Sequence, residues 1–405
     1  MTSAADDVTS DPGPRRGSRM ATVMREDERV TALELFFDLV FVLALTQCTT
    51  LMSHDPTWAG MAKGLAVLAV LWWSWGGYAW LTSVVDPEEG AVRLVMFGAM
   101  AAMLVAALGV PGAFGGTALL FACAYGVVRA AHIMLFLLAS RDDPGLRRSV
   151  TGLAVSTAVG VGLLAGAAFA GGALRGTLWG VALLLDVGGP FLFGAEGWKL
   201  VPGHFAERHG AIIIIALGES IVAIGVGASP DVDAGVVAAA VLGTAVAAAL
   251  WWTYFDVVAL VATRRLGQAA EGRERNEMAR DSYSYIHYAM VAGIVLIALG
   301  LKKTLAHVGD PLTAETAVAM LGGTALYLLA HIAFRLRNVG TLNRQRLVCA
   351  VILIALVPPA VHLASLATLA ILATVLAALI LYETLRFADA RERVRRELAG
   401  GTRPA

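Results

Sequence analysis

Charged residues are scarce in this chain: they make up 15% of its 405 residues, against roughly 25% in a typical soluble protein. Hydrophobic residues make up 58%, and the mean hydropathy is +0.71. This apolar excess extends over the whole chain, which excludes an ordinary soluble enzyme or binding domain. The formal net charge is zero, and Lys and Arg occur in short stretches between apolar runs. Because no basic surface is concentrated in one region, no nucleic-acid partner is expected.

Cysteine and the common catalytic signatures are scarce as well. The three cysteines, Cys48, Cys123 and Cys349, all lie in apolar runs, which excludes a disulfide framework and a cysteine metal site. The sequence contains no Walker loop, no Rossmann glycine fingerprint and no Ser–His–Asp signature. We therefore predict no cofactor, no metal, no catalytic residue and no enzymatic activity.

Apolar runs of membrane-spanning length, by contrast, are abundant. A bilayer core of roughly 30 Å needs about 20 helical residues. We predict an all-α, polytopic membrane protein with about twelve spans, at 33–52, 58–81, 92–110, 117–139, 149–171, 176–194, 209–228, 234–261, 284–305, 314–334, 346–363 and 366–385. Only the proline pair at 358–359 separates the last two spans, and it could instead kink one long helix.

The positive charges predict how the chain is oriented. With both termini on one side of the membrane, about 26 of the 31 Lys and Arg residues lie on that side. We therefore expect a multi-pass protein of the cell membrane, with the lipid bilayer as a partner and both termini in the cytoplasm. Residues 1–31 are polar and read as a disordered cytoplasmic tail, and 387–405 read as a second tail.

The two halves of the chain resemble each other in order. Residues 34–47 match 207–220, the Trp-rich stretch 71–75 matches 250–254, and 131–133 match 330–332, including a histidine. Asp186 falls opposite Glu383 near the ends of the sixth and twelfth spans. We predict two parallel six-helix repeats, at 32–195 and 196–386, because an even number of spans keeps the halves in the same orientation.

Ionisable groups inside the spans are the main source of functional hypotheses. Placing one at the bilayer centre costs at least roughly 2.5–3.5 kcal/mol, so such a group is normally paired or functional. Glu219, followed by Ser220, lies near the middle of span seven. It could bind a proton or a cation, or it could form a static ion pair. Arg129, in the middle of span four, is the expected partner for such a pair.

Three further carboxylates accompany the membrane spans. Glu34 and Asp38 are four residues apart, on one helical face, at the start of span one. They could form a polar network with Arg93 or Arg129, or Glu34 could simply stabilise the helix amino terminus. Asp186 precedes Gly188-Gly189-Pro190, which should break or kink its helix, and broken helices often line transport sites.

Histidines and tryptophans leave alternatives open. His132, His287 and His331 could relay protons, although each is more simply a hydrogen-bonded core histidine. Residues 204, 207 and 209 (His, Glu, His) could form an acid–base cluster, but a loop at the membrane surface is the simpler interpretation. The tryptophans of 72–80 and 251–252 are expected to pack or anchor the protein at the interface, with an aromatic cavity as the alternative.

Two motifs carry a family resemblance. The run Glu34-Leu-Phe-Phe-Asp38, followed by Thr46-Gln47, resembles the opening signature of the bacterial low-temperature-requirement protein A family. Residues 207–210 (Glu-Arg-His-Gly) and 216–221 resemble the second signature of that family. The likeness covers about residues 30–385 and implies a polytopic bacterial inner-membrane protein. It marks as motif positions Glu34, Asp38, Glu207, Arg208, His209, Glu219 and Ser220. The family is named after a growth phenotype, so it implies no reaction.

The leading functional interpretation is a transporter or permease for a small solute or a monovalent cation, including the proton. Its pathway would lie between the halves and use Glu34, Asp38, Arg129, Asp186, Glu219 and Ser220. The first alternative is a non-transporting sensor, scaffold or envelope-stress factor whose charges pair statically. The second is an intramembrane enzyme that acts on lipid through His204, Glu207 and His209.

Overall fold

The computed structural model describes residues 29–192, 197–228, 233–389, 391, 392 and 396. Most of the two predicted tails therefore lies outside the described residues. The described chain is helical, with no β-strand. The helices are α1 (Ala32–His54), α2 (Trp58–Thr82), α3 (Gly90–Gly109), α4 (Ala118–Ala139), α5 (Pro144–Phe169), α6 (Gly172–Leu192), α7 (Pro202–Gly227), α8 (Ala234–Phe255), α9 (Val258–Gln268), α10 (Arg273–Ala279), α11 (His287–Ala306), α12 (Ala314–Ala317), α13 (Gly323–Val339), α14 (Arg344–Ala355), α15 (Val357–Ala360) and α16 (Ser365–Arg386).

Ten helices in the described part of the chain are long and apolar enough to cross a membrane. This confirms a multi-pass helical membrane protein, while the count of twelve spans stays a prediction. The two predicted spans outside this set correspond to α6, which carries Arg175 and Asp186, and to the interrupted pair α14 and α15. At the proline pair 358–359 the chain forms only the short α15, and a separate helix, α16, starts at Ser365.

The glycine–proline run 188–190, expected to break or kink its helix, does not break α6, which continues through Pro190 to Leu192. Pro190 lacks an N–H and so removes one backbone hydrogen bond, and a kink there stays a prediction. The stretch 262–283, between the predicted spans 234–261 and 284–305, is not one long loop but mostly helical: α9 and α10 cover much of it. A π-helical segment, Arg280–Ile286, then leads into α11.

Helix α11 occupies the centre of the bundle. It contacts α1, α2, α7, α8, α13 and α16, and it is apolar on all faces, as expected for a fully enclosed helix. It packs tightly against α13, where a Cβ atom at Gly293 would lie 2.7 Å from the carbonyl oxygen of Gly323. Small residues at this crossing let the two backbones touch, a common mode of packing in membranes.

Helices α1 and α7 lie side by side and run in the same direction. Three side-chain contacts join them in the same order along both helices, at sequence separations of 170, 170 and 173: Glu34 with His204, Asp38 with Arg208, and Thr46 with Glu219. A nearly constant separation requires parallel helices. We call the end at which α1 and α7 begin, near Ala32 and Pro202, the near side of the bundle.

Candidate functional site

Glu34 stabilises the start of α1 and also contacts α7. It forms a capping box with Thr31, whose hydroxyl accepts from the Glu34 N–H, while Glu34 Oε2 accepts from the Thr31 N–H at 2.8 Å. The other carboxylate oxygen, Oε1, lies 2.9 Å from Nε2 of His204 and 3.1 Å from Nη1 of Arg208. All of these cross-helix side chains are 0% exposed.

Asp38 completes this group one turn further along α1. Its Oδ1 accepts hydrogen bonds from Nη2 of Arg208 and from the indole N–H of Trp75, both at 2.7 Å. Arg208 also donates to the hydroxyl of Thr82 at 2.7 Å. Glu34, Asp38, His204 and Arg208 form what we call the near-side cluster. The predicted network therefore exists, but its cation is Arg208 rather than Arg93 or Arg129.

The motif at 207–209 lies in a buried helix rather than in a surface loop. Helix α7 begins at Pro202, and proline is favoured at a first helical position because it has no N–H to leave unpaired. That position puts Arg208 and His209 inside the bundle. The interpretation of 204–209 as a surface loop is therefore wrong; residues 204 and 208 have the same four-residue spacing as Glu34 and Asp38.

The three residues proposed as an acid–base cluster do not converge. Glu207 accepts a hydrogen bond from the backbone N–H of Val30 at 3.3 Å. Nδ1 of His209 lies 2.8 Å from the carbonyl oxygen of Phe205, while His204 contacts Glu34. In the described ranges no group of three His, Cys, Asp or Glu side chains could hold a metal ion.

Glu219 lies further along the α1–α7 interface and is 1% exposed. Its Oε2 accepts a hydrogen bond from the hydroxyl of Thr46 at 2.5 Å. Among the described residues it forms no ion pair, although Lys302 is close enough to interact with it electrostatically. Next to it, Ser220 is buried, and its hydroxyl has no hydrogen-bond partner in the described chain. The expected pairing of Glu219 with Arg129 is wrong.

Arg129 instead forms an ion pair with Asp186. These two predicted pathway residues therefore contact each other and not the α1–α7 interface. Arg129 Nη2 lies 3.2 Å from Asp186 Oδ1 and 2.8 Å from Oγ1 of Thr157. The hydroxyls of Thr157 and Tyr125 also donate to Asp186. This buried group ties together α4, α5 and α6.

A similar ion pair between α14 and α16 was missed in the sequence. Arg346 Nη2 lies 2.9 Å from Oε2 of Glu383, and its Nε lies 3.0 Å from Oε1. Arg346 lies at the start of the predicted span 346–363. The alignment of Glu383 with Asp186 was the available signal, since each of these carboxylates binds one arginine within its own half.

The three candidate relay histidines differ in their contacts. His287 lies 2.8 Å from the hydroxyl of Tyr254 and 2.8 Å from the carbonyl oxygen of Ser282, as expected for a core histidine. Nδ1 of His331 lies 3.2 Å from Nη1 of Arg346. His132 is buried, and neither of its ring nitrogens has a hydrogen-bond partner in the part of the chain that the structure describes.

The two Trp-rich stretches have different surroundings. Trp72, Trp73 and Trp80 line a cavity, which supports the aromatic-cavity alternative for the first half. Trp251 is 44% exposed, as interfacial or lipid-facing side chains are, whereas Trp252, which is 38% exposed, lines a second cavity with His331 and Arg346.

Outside the spans, Asp143 shows how an exposed carboxylate behaves in the same protein. It caps α5, and the hydrogen bond from the backbone N–H of Leu146 lowers the pKa of its carboxyl group, with a smaller contribution from Lys199. Its role is explained by helix capping alone.

Comparison with known proteins agrees with the motifs. The family model described as bacterial low temperature requirement A protein (LtrA) matches residues 29–381. An uncharacterized protein of Rhizobium meliloti (strain 1021) is 33% identical over 318 residues, which cover 73% of this chain and 74% of that protein. No solved structure matches the chain. The chain belongs to the bacterial low temperature requirement A family.

Proposed function

We propose that this chain is a transporter for a small solute or a monovalent cation, including the proton, and that the α1–α7 interface holds its binding group. Glu219 would bind the cation or proton, with Thr46 and Ser220 as neighbouring oxygen donors. The near-side cluster would form the polar entrance. Under this proposal the protein lies in the cell membrane, with the near side and both termini in the cytoplasm.

The observation that carries the proposal is the contrast between Glu219 and the other buried carboxylates. Glu34, Asp38, Asp186 and Glu383 each contact an arginine. Glu219 forms no ion pair among the described residues: it accepts a hydrogen bond from Thr46, and Lys302 interacts with it only electrostatically. A proton or a bound cation would neutralise such a carboxylate, because a buried charge without an ion-pair partner is costly.

The architecture we propose consists of two parallel six-helix halves with the pathway between them. The parallel course of α1 and α7 supports it, since these are the first helices of the two halves. Equivalent packing supports it too: α1 contacts α3 as α7 contacts α11, and α2 contacts α6 as α8 contacts α16. In transporters built from parallel repeats, the substrate site lies between the repeats.

The test is flux through proteoliposomes that contain the purified protein. A pH-sensitive dye inside the vesicles and a panel of monovalent cations outside would report proton or cation movement. Replacing Glu219 by Gln keeps the size of the side chain and removes its ability to carry charge. We expect the flux of this variant to be at least about tenfold lower than that of the wild type, because its amide cannot exchange a proton or replace a carboxylate ligand.

Glu271→Gln is the matched control, because it makes the same chemical change at an exposed carboxylate. It should transport like the wild type. Flux in Glu219→Gln equal to that of the control would contradict the role of Glu219. Absence of any flux in folded wild-type protein, across the cations and a panel of small organic solutes, would contradict transport itself.

A static membrane scaffold is the second candidate, and the arginine pairing of the other four buried carboxylates favours it. Under that proposal, Glu219 would be a permanently protonated group bound to Thr46. The flux assay separates the two candidates, because a scaffold gives no signal in either variant. The lipid-enzyme alternative has no support from the described residues, since His204, Glu207 and His209 face different partners.

A further inference from the structure

A cavity at the boundary of the two halves lies apart from the α1–α7 interface. Its lining comes from α2, α4, α5 and α6, from Trp198 ahead of α7, and from the stretch between Asn276 and Ser284, and its volume is about 70 Å³. At about 10–15 Å³ per water position, it has room for roughly five to seven waters. Four of its lining residues are tryptophans: Trp72, Trp73, Trp80 and Trp198.

The π-helical segment Arg280–Ile286 holds this aromatic wall in place. The carbonyl oxygen of Ser284 accepts from the indole N–H of Trp72 at 2.7 Å, and the hydroxyl of Ser284 accepts from that of Trp80 at 3.0 Å. Segments of π-helix inside longer helices are often found at functional sites. Both indole N–H groups are therefore used within the protein, so these two tryptophans offer only carbon surface to the cavity.

Two buried polar side chains on α4 border the cavity, and some of their nitrogen atoms have no hydrogen-bond partner in the described chain. Both ring nitrogens of His132, and Nε of Arg129, have no hydrogen-bond partner among the described residues. Buried polar groups are normally hydrogen-bonded, because leaving one unpaired costs about 1–3 kcal/mol. Two donor positions on residues of the lining therefore lack a partner: the Nε–H of Arg129 and a ring N–H of His132.

The charged residues that line the cavity indicate the charge that its ligand should carry. Arg129 and Arg280 are the charged residues in the described lining, and no carboxylate belongs to it. Arg129 is paired with Asp186 and Arg280 with Asp281, and neither aspartate belongs to the described lining. Hydrogen-bond donors and guanidinium groups at the edge of an aromatic cavity favour a carboxylate or another anionic acceptor over a cation.

Glycines on α2 keep the cavity open. A Cβ atom at Gly76 would meet no atom within 4 Å, so a side chain at this lining position would extend into the cavity. A Cβ atom at Gly77 would lie 2.9 Å from Nε2 of His132. Glycine at 77 therefore leaves space for the His132 ring, and Gly76 offers a position at which the cavity can be filled.

From these observations we propose that the cavity is a binding site for a small aromatic carboxylate. Its ring lies between the tryptophans, and its carboxylate accepts hydrogen bonds from Arg129 and His132. The site is independent of the proposed pathway at Glu219, and its ligand need not be the transported species.

The experiment is isothermal titration calorimetry of the purified full-length protein in detergent. Benzoate is the probe, with benzyl alcohol and benzylammonium as ring-matched neutral and cationic controls. We expect saturable binding of benzoate. Benzyl alcohol should bind at least about tenfold more weakly and benzylammonium more weakly still, because charge-assisted hydrogen bonds are roughly twice as strong as neutral ones.

Two variants locate the binding. Gly76→Val should weaken benzoate binding at least about tenfold by occupying the cavity, and His132→Phe, which keeps a ring of similar shape, should weaken it about five- to tenfold through the lost hydrogen bond. Gly98→Val is the matched control, because it places the same side chain on an exposed face of α3 where a Cβ would also meet nothing within 4 Å.

The outcomes decide the proposal as follows. Selective benzoate binding that Gly98→Val retains and both cavity variants lose supports the site. No saturable heat with benzoate, equal or tighter binding of benzylammonium, or wild-type affinity in His132→Phe overturns it. Size-exclusion profiles and melting temperatures show whether each variant is folded. If Gly76→Val does not fold, His132→Phe alone decides.

Discussion

The same pair of helices holds its buried carboxylates in two opposite ways. On the near side, Glu34 and Asp38 share Arg208, with His204 and Trp75 completing their hydrogen bonds. Further along the interface, Glu219 accepts a hydrogen bond from Thr46 and lies near Thr49 and Lys302, but it forms no ion pair among the described residues.

The difference indicates two roles for buried charge in one interface. The near-side cluster neutralises itself, so it can hold α1 and α7 together in every state of the protein. Glu219 depends on a proton or an added cation for neutrality, so its state can change with the surroundings. A fixed pair suits a structural contact, and an incompletely paired carboxylate suits binding and release.

Removal of Arg208 should have the largest effect on stability. Arg208→Met leaves two carboxylates buried without their cation, and breaking a buried pair in this way costs about 3–5 kcal/mol. We expect a large drop in melting temperature, and much less folded protein after purification in detergent. The measurement is thermal unfolding followed by circular dichroism.

The control is Arg273→Met, because the Arg273 side chain is 82% exposed. Adding Glu34→Gln and Asp38→Asn to Arg208→Met should recover part of the loss, since the carboxylates are then neutral. A single Arg208→Met variant as stable as the control would show that the cluster does not hold α1 against α7.

Loss of the Thr46 hydroxyl should have an intermediate effect. Thr46→Val keeps the shape of the side chain but leaves Glu219 without its hydrogen bond, at a cost of about 1–3 kcal/mol. Thr374→Val is the control, because that exposed hydroxyl donates to Ala370 within its own helix. Equal melting temperatures for the two variants would indicate that the Thr46–Glu219 bond contributes nothing to folding.

Neutralising Glu219 should have the smallest effect on stability. Glu219→Gln removes no ion pair, and an amide is less costly to bury than a carboxylate, so the free energy of unfolding should stay within about 1 kcal/mol of the wild type or rise. Glu34→Gln, measured beside it, should be clearly destabilised because Arg208 loses a partner. Equal losses in the two variants would show that Glu219 has an ion-pair partner after all.

Much of the helix pattern and part of the site could be read from residue types and spacing. The four-residue spacing of Glu34 and Asp38 indicated a shared face, and the carboxylate at 219 was correctly placed in a buried helix. The partner of Asp38 was missed because residues 204–209 were interpreted as a surface loop, which left Arg208 outside the helix bundle. The partner of Arg129 was wrong because nothing in a linear sequence distinguishes one distant carboxylate from another.

The position of the cavity could not be read from the sequence either. The tryptophans at 72–80 raised an aromatic cavity as an alternative, whereas Trp251 in the second half is exposed and Trp252 lines a different cavity. Residues from six separate segments meet at the cavity near Trp72, and two of them, Asn276 and Arg280, lie in the stretch 262–283, between two predicted spans. A cavity is a property of how helices pack, so a list of apolar runs does not contain it.

The sequence by itself determined that this is a multi-pass helical membrane protein of a recognisable family, because the length of apolar runs and the cost of burying charge act on local composition. Only the tertiary structure decided which charges pair. Arg208 reaches Glu34 and Asp38 because α1 and α7 run parallel in register, Asp186 takes Arg129 within α4–α6, and Glu219 is left with Thr46. In a low-dielectric interior, those distances of a few ångströms separate a structural salt bridge from a carboxylate that is open to a ligand.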